Sequence, residues 1–288
     1  MAPLMLRLLC ASFLGLAALF HSGVQAGAEL LHSERSRFGA VLVFEENGER
    51  CMNFNTMVDF GRQTCMDLAD PEKLVFSYTR MMMSALYAKP APASILIVGL
   101  GGASLQNTLA RLLPEAVIDT VEIDPAVGKV AAAYFGYREG PRQRLHIEDG
   151  RAYIERAHRE NRRYDMVMLD AFDVDYIPEH LMTVEFLEHV KAILTDDGIV
   201  VANTFTNSRL YERESATYAA VFGTFFNLRE SNRVIVAARG PLPGRDVLAA
   251  NAARWRGALG RIGVEPERAL DRYGSTLGAV EGVELLRD

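Results

Sequence analysis

Three short apolar runs in this chain end in acids. Val117 to Ile123 carries Glu122 and leads into Asp124, Leu145 to Ile147 leads into Glu148-Asp149-Gly150, and Met166 to Leu169 leads into Asp170-Ala171-Phe172-Asp173. A fourth run, Ile95 to Val98, is followed at once by Gly99, Gly101 and Gly102. A carboxylate closing a buried strand needs a hydrogen-bond partner. The partners open to it are a ribose hydroxyl, an adenine amino group, or a reacting amine that must lose a proton. Glycines without a Cβ let a ligand approach the backbone N–H groups that start the next helix.

A nucleoside-bearing ligand suits this combination, with Glu122 at the ribose position relative to Gly99. A nicotinamide dinucleotide suits it less well, because G-x-G-x-x-G would need a third glycine where Ser104 stands. Two readings remain open for Asp149: an acceptor for an adenine amino group, with Gly150 admitting the base, or a cap for the helix starting at Arg151. Asp170 ends a strand whose neighbours need nothing polar, so substrate is its expected partner.

The elements that must position these groups alternate. After the strand, turn and helix of residues 94 to 124 come a helix over Ala126 to Phe135, the strand at Leu145, a helix over Arg151 to Asn161 and the strand at Met166. A helix over residues 183 to 194, a strand at Gly198 to Ala202, a helix at Leu210 to Phe222 and a strand around Val234 to Ala238 continue the pattern. The periodicity predicts an α/β fold, an open doubly wound sheet. Asp246 to Leu259 and Pro266 to Tyr273 read as further helices, with Trp255 a packing anchor.

Upstream, Asn47-Gly48 between two strand-like segments over residues 39 to 55 predicts a β-hairpin, with a third strand at Gln63 to Asp67. Lys73 to Tyr87 has apolar residues at helical spacing, and Lys89-Pro90-Ala91-Pro92 ends it. The expected division is a leader over 1–26, an N-terminal β region with its linking helix over 27–89, and a nucleoside-binding Rossmann-like domain over 90–288. Arg7 before the apolar run Leu8 to Phe20, and Val24-Gln25-Ala26 after it, read as an export signal. The chain is thus expected to be periplasmic or secreted, or held at the membrane by an uncleaved signal. Cys51 and Cys65 then remain in the mature chain, as either a disulfide or two small buried side chains.

A formal net charge of −6 over 288 residues, without a basic tract, argues against nucleic acid as a partner. The six histidines show no paired spacing on one helix, and no serine sits in G-x-S-x-G. Asp170, Asp173 and Asp175 lack a calcium loop, so no metal is expected.

The small N-terminal β region, glycine loop, Glu122-Ile123-Asp124, Asp149-Gly150 and Asp170-x-x-Asp173, in this order, resemble the spermidine synthase group of polyamine aminopropyltransferases, which have a methyltransferase-like fold. Gly61-Arg62-Gln63-Thr64, Tyr78 and Pro178 through Leu181-Met182-Thr183 extend the resemblance over about Phe38 to Arg239. It implies transfer of an aminopropyl group from decarboxylated S-adenosylmethionine to an amine such as putrescine. Glu122 would hold the ribose, Asp149 and Gly150 the adenine, and Gln63 the sulfonium side. Asp170 would meet the reacting amine, assisted by Tyr78, with Asp173 an auxiliary contact. A homodimer is left open.

Two positions depart from the group. Its loop G-G-G-D-G-G reads Gly99-Leu100-Gly101-Gly102-Ala103-Ser104, with Gly102 in place of the aspartate, and its Y-[HQ]-E reads Tyr78-Thr79-Arg80. Arg80 for an acid implies a donor that keeps its carboxylate, ordinary S-adenosylmethionine. Methyl transfer and non-catalytic nucleoside or polyamine binding are the alternatives.

Overall fold

The computed structural model describes residues 27–58, 62–172, 176–279 and 282–288. The expected leader over 1–26, Gly61 and Asp173 lie outside these residues. Among the described residues two sheets form. The smaller is an antiparallel meander of β1 (Glu29–Ser36), β2 (Gly39–Glu46), β3 (Glu49–Phe54) and β4 (Thr64–Asp67). Asn47 and Gly48 both take positive φ in the turn between β2 and β3, which is the hairpin the Asn-Gly pair predicts.

In this sheet Cys51 and Cys65 lie directly opposite each other, with Cα atoms 4.1 Å apart, and form a disulfide. Both are buried beside Phe44. The other face, through Val41, Val43 and Met52, packs on Leu100 and on Val127 and Val130 of α3 (Pro125–Tyr134). The small sheet is thereby pressed against the glycine loop.

The larger sheet has the order β12-β10-β11-β9-β8-β5-β6-β7. Its parallel part is β5 (Ser94–Val98), β6 (Val117–Glu122), β7 (Gln143–Ile147), β8 (Tyr164–Leu169) and β9 (Leu194–Phe205). The antiparallel flank is β10 (Phe225–Arg229), β11 (Asn232–Ala238) and β12 (Thr276–Leu277). Runs such as Ile95–Ile97 are fully buried because helices cover both faces. After β5 the chain moves outward through β6 and β7, then returns to place β8 on the other side of β5. The crevice at that reversal, outside the carboxyl ends of the strands, is where such sheets bind ligands.

The segment over Lys73 to Tyr87 is less helical than its spacing predicts. Leu74 pairs with Met66 in an isolated bridge, and α1 (Ser77–Met83) gives way to a 3-10 turn over Ser84–Tyr87. Met81, Met82, Ala85 and Leu86 are buried against Ile95, Ile97 and Met168 of the large sheet. The helices α2 (Ser104–Leu112) and α4 (Gly150–Arg159) follow the glycine loop and β7. Trp255 donates its indole N–H to the Pro90 carbonyl at 3.1 Å, a packing anchor as expected. No described helix is long and apolar enough to cross a membrane.

Candidate active site

At the carboxyl ends of β5, β6, β7 and β8 lies a cavity of about 280 Å³. Gln63, Tyr78, Gly99, Gly101, Gly102, Glu122, Asp149, Gly150 and Asp170 all line it, so every described residue singled out for a site meets in one place. Apolar walls come from Leu105, Ile123, Val127 and Leu181, with Phe38 and Phe54 contributed by the small sheet.

The glycine loop is held tightly. Gly99 has φ +101°, and a Cβ there would lie 2.2 Å from the backbone carbonyl oxygen of Asp170. The Gly99 carbonyl accepts from Gln106 Nε2 at 2.9 Å, a buried side chain with no sequence signal. Gly101 also has positive φ, with nothing near its missing Cβ. Gly102 is different: a Cβ would meet Thr64 Cγ2 at 2.5 Å and Phe135 Cδ1 at 3.0 Å. No side chain fits at 102 unless Thr64 moves.

Glu122 is fixed on this loop by main-chain donors. The Leu100 N–H donates to Oε2 at 3.1 Å and the Asp124 N–H to Oε1 at 2.9 Å. Burial still lifts its carboxyl above the ordinary range, with those amides pulling it back. Asp124 turns away, capping α3 through the Ala126 N–H and accepting from Ser36 Oγ. Asp149 caps α4 by accepting from the Ala152 N–H at 3.0 Å, and its second oxygen meets His180 Nε2 at 2.9 Å. Burial alone would raise Asp149, yet the amide and His180 outweigh it and hold the carboxyl low. Capping and cavity lining therefore coexist in Asp149. Gly150 is required by packing, since a Cβ would lie 2.5 Å from Val98 Cγ1.

Asp170 closes β8 on the cavity floor. Asn203, near the end of β9, donates from Nδ2 to Asp170 Oδ1 at 2.9 Å, and the Tyr78 hydroxyl bonds to the same carboxyl. Burial pushes Asp170 up to about 7 against these two contacts. Burial first, and then the neighbouring carboxylate, drive Tyr78 well above its usual range, so the phenol stays neutral and donates. Asn203 and Gln106 are the polar partners that sequence reasoning missed. Asn203 carries the same signal as Asp170, a polar residue ending the apolar run Ile199–Ala202.

One expectation is overturned. Arg80 does not face the cavity: its Nη1 donates to the carbonyls of Leu74 at 2.6 Å and Val75 at 2.8 Å, beside a separate groove lined by Glu230, Arg268 and Arg272. It cannot serve as a counter-ion for a donor carboxylate in the cavity. Arg62 likewise points away, pairing with Glu46. Among the described residues lining the cavity, Glu122, Asp149 and Asp170 are the acids, and no lysine or arginine is present.

A methyltransferase-like sheet bearing an acid-lined crevice at its strand carboxyl ends defines the class of this protein. Residues 75–232 match the family model described as spermine/spermidine synthase domain, and the chain belongs to that family. It is 41% identical over 244 residues to the polyamine aminopropyltransferase of Vibrio vulnificus, covering 83% of this chain and 81% of that protein. Among solved structures, a probable spermidine synthase from Corynebacterium glutamicum superposes with a TM-score of 0.65 at 18% identity, over 89% of this chain and 98% of that one. Human methyltransferase-like protein 13 in complex with SAH matches at 27% identity and TM-score 0.56, over 68% of this chain and 93% of that one.

Proposed function

We propose that this chain is an aminopropyltransferase that moves the aminopropyl group of decarboxylated S-adenosylmethionine onto a small amine such as putrescine. The observation that carries the reading is Asp170, a carboxyl held by Asn203 and Tyr78 on the floor of a cavity whose other charged lining side chains, among the described residues, are the acids Glu122 and Asp149. Such a lining suits cations, and both the sulfonium donor and the amine are cationic. The family membership and the 41% identity to a polyamine aminopropyltransferase support the same chemistry.

In this reading Glu122 accepts from the ribose hydroxyls, while Asp149 and Gly150 face the adenine and Gln63 the sulfonium side. The donor supplies an electrophilic carbon next to a sulfonium that leaves as a neutral thioether. Asp170 accepts the proton that the attacking amine must lose. An alkyl ammonium has a pKa of about 10. A carboxylate in water lies roughly 6 units below it, and the raised Asp170 only about 3, which makes the transfer less uphill by about 4 kcal/mol. Tyr78 and Asn203 hold the carboxylate in place, and Asp173 is an auxiliary amine contact.

Methyl transfer is a second reading, favoured by one observation: the 27% identical human protein was solved with SAH. Incubation of the purified chain with each sulfonium donor and a panel of amines separates the readings. Release of methylthioadenosine, dependent on decarboxylated donor and diamine, is the expected result. Formation of S-adenosylhomocysteine alone would replace the proposal with methyl transfer. Adenosine-ligand binding without turnover of either donor would replace it with a binding role.

A further inference from the structure

An ionised carboxyl at Asp170 can only accept hydrogen bonds, so the groups that touch it must present donors. The Tyr78 phenol stays neutral and turns its O–H toward it. Asn203 has two ways to lie. Its amide carries a donor at one corner and an acceptor at the other, and half a turn of the amide exchanges them. With Nδ2 on Asp170 Oδ1 at 2.9 Å it favours the carboxylate. Turned over, its Oδ1 would meet the carboxyl and favour the protonated form instead.

The group that selects between these two arrangements comes from the neighbouring strand. Asn232, the first residue of β11, donates from Nδ2 to Asn203 Oδ1 at 3.2 Å. Asn203 pairs with Val234 and Asn232 with Phe205, so the two amides are diagonal neighbours across the β9–β11 ladder, within reach of side chains of this length. The Asn232 main chain is fixed by that pairing and by its carbonyl, which accepts from the Glu230 N–H at 2.9 Å in the turn ahead of β11. Asn232 does not line the cavity, so its influence on Asp170 passes through Asn203.

We propose that Asn232 is a positioning residue for the reaction: it fixes which way the Asn203 amide lies, so that a chain of donors running from Asn232 through Asn203 stabilises the charged form of Asp170. The catalytic consequence rests on the reading of Asp170 as the base. Burial works against the charge on Asp170, and Asn203 and Tyr78 are the contacts that oppose it. Half of that opposition depends on an amide that could turn over, and Asn232 is what prevents it. Among the described residues, the titratable and charged groups around this carboxyl are Tyr78 on α1, Glu122 on β6, and Asp149 at the start of α4 with its partner His180. Behind Asn203, Glu214 of the helix Tyr211–Phe222 lies 3.7 Å from Arg233 Nη1. None of these groups changes when position 232 is substituted.

Asn232→Asp tests this, because a carboxylate offers only acceptors. It draws Asn203 Nδ2 to itself and turns Oδ1 toward Asp170. The Asp170 titration should then move up by about one pH unit or more, read from the carboxyl carbon-13 signal of the full chain labelled at aspartate and assigned by its loss on Asp170→Asn. The limb of kcat/KM against pH should move with it: turnover at about pH 6 falls roughly tenfold and at about pH 9 stays within about twofold of the parent. The added charge also raises Asp170, and a double-mutant cycle separates the two effects. With Asn203→Ala in place the charge remains and the amide is gone, so Asn232→Asp should there move the titration by less than about half as much. Asn232→Ala, which removes the donor without adding charge, should give a smaller upward shift. An unmoved Asp170 titration in Asn232→Asp, or an equal shift with and without Asn203, would overturn the proposal. A titration that moves while the pH–rate limb stays in place would overturn the base assignment beneath it.

Discussion

Asp170→Asn should make the protein more stable and much less active, and the two effects have one cause. The folded chain holds the Asp170 proton until about pH 7, against 3.8 for an ordinary aspartate, because burial penalises the charged form. Between these values the native state binds more protons than the unfolded chain, so stability falls as pH rises, by about 1.4 kcal/mol per unit. The ceiling is roughly 4 kcal/mol at pH 8, and water on the cavity side lowers the expected gain to about 1–3 kcal/mol. The amide substitution removes this cost, and its carbonyl oxygen still accepts from Asn203. At pH 4 the wild type and the variant should unfold at nearly the same denaturant concentration, and at pH 8 the variant should require more. Turnover should drop about a hundredfold or more, the usual loss for a general base. The wild-type kcat/KM should rise with pH through about 7, and the variant's residual rate should lack that limb. Chemical unfolding at the two pH values and the pH–rate profile are the assays. Equal stability difference at pH 4 and pH 8 would refute the burial argument, and undiminished turnover would remove the base assignment.

Other substitutions probe the rest of the site. Glu122→Gln keeps the side chain's size but turns one of its two acceptors for the Leu100 and Asp124 N–H groups into a donor, and should weaken methylthioadenosine binding about tenfold to a hundredfold by calorimetry, with the fold retained by circular dichroism. Gly99→Ala drives a Cβ against the Asp170 main-chain oxygen, which cannot swing aside as a flexible side chain would. Calorimetric melting should fall by roughly 5–10 °C, the equivalent of a few kcal/mol in a chain of this size. The Cys51–Cys65 bridge closes a loop with a sequence separation of 14. Replacing both with Ala should cost about 3 kcal/mol in denaturant unfolding, and intact mass with and without reduction should differ by two hydrogens in the parent chain.

Much of this architecture can be read directly from the chain. Buried parallel strands are continuous apolar runs, and Asp170 stands out because an acid has no reason to end such a run unless something meets it. The same logic finds Asn203 after Ile199–Ala202, but an amide carries no net charge and draws less notice than a carboxylate. Gln106 is not legible at all, and Thr64 is legible only as a member of Gly61-Arg62-Gln63-Thr64, without its contact. Their importance arises only when Gln106 folds back on the Gly99 carbonyl and β4 brings Thr64 onto Gly102. Edge elements are also hidden: β1 has weak alternation over ELLHSERS, and β10 is a short run ahead of a tight turn at Glu230 to Asn232. Arg80 misleads for a reason the helix itself supplies. Residues two apart on a helix differ by about 200° around the axis, so with Tyr78 facing the cavity, Arg80 has to face elsewhere.

The steric details also explain why binding and chemistry are set by one piece of backbone. β5 lies between β6 and β8, with the Gly99 N–H on the Val121 carbonyl and the Asp170 N–H on the Val98 carbonyl, both at 2.8 Å. The loop that carries the Glu122 contact and the strand end that carries Asp170 are therefore joined through the end of β5, which pairs with β6 on one side and β8 on the other. The absent Cβ of Gly99 is what lets them close to van der Waals distance. Alignment of the donor carbon with the amine is then a property of strand pairing, which is rigid, and depends little on side-chain rotamers. A substitution that disturbs this pairing should raise KM for the donor and lower kcat together, whereas loss of Asp170 alone should lower kcat and leave donor affinity intact.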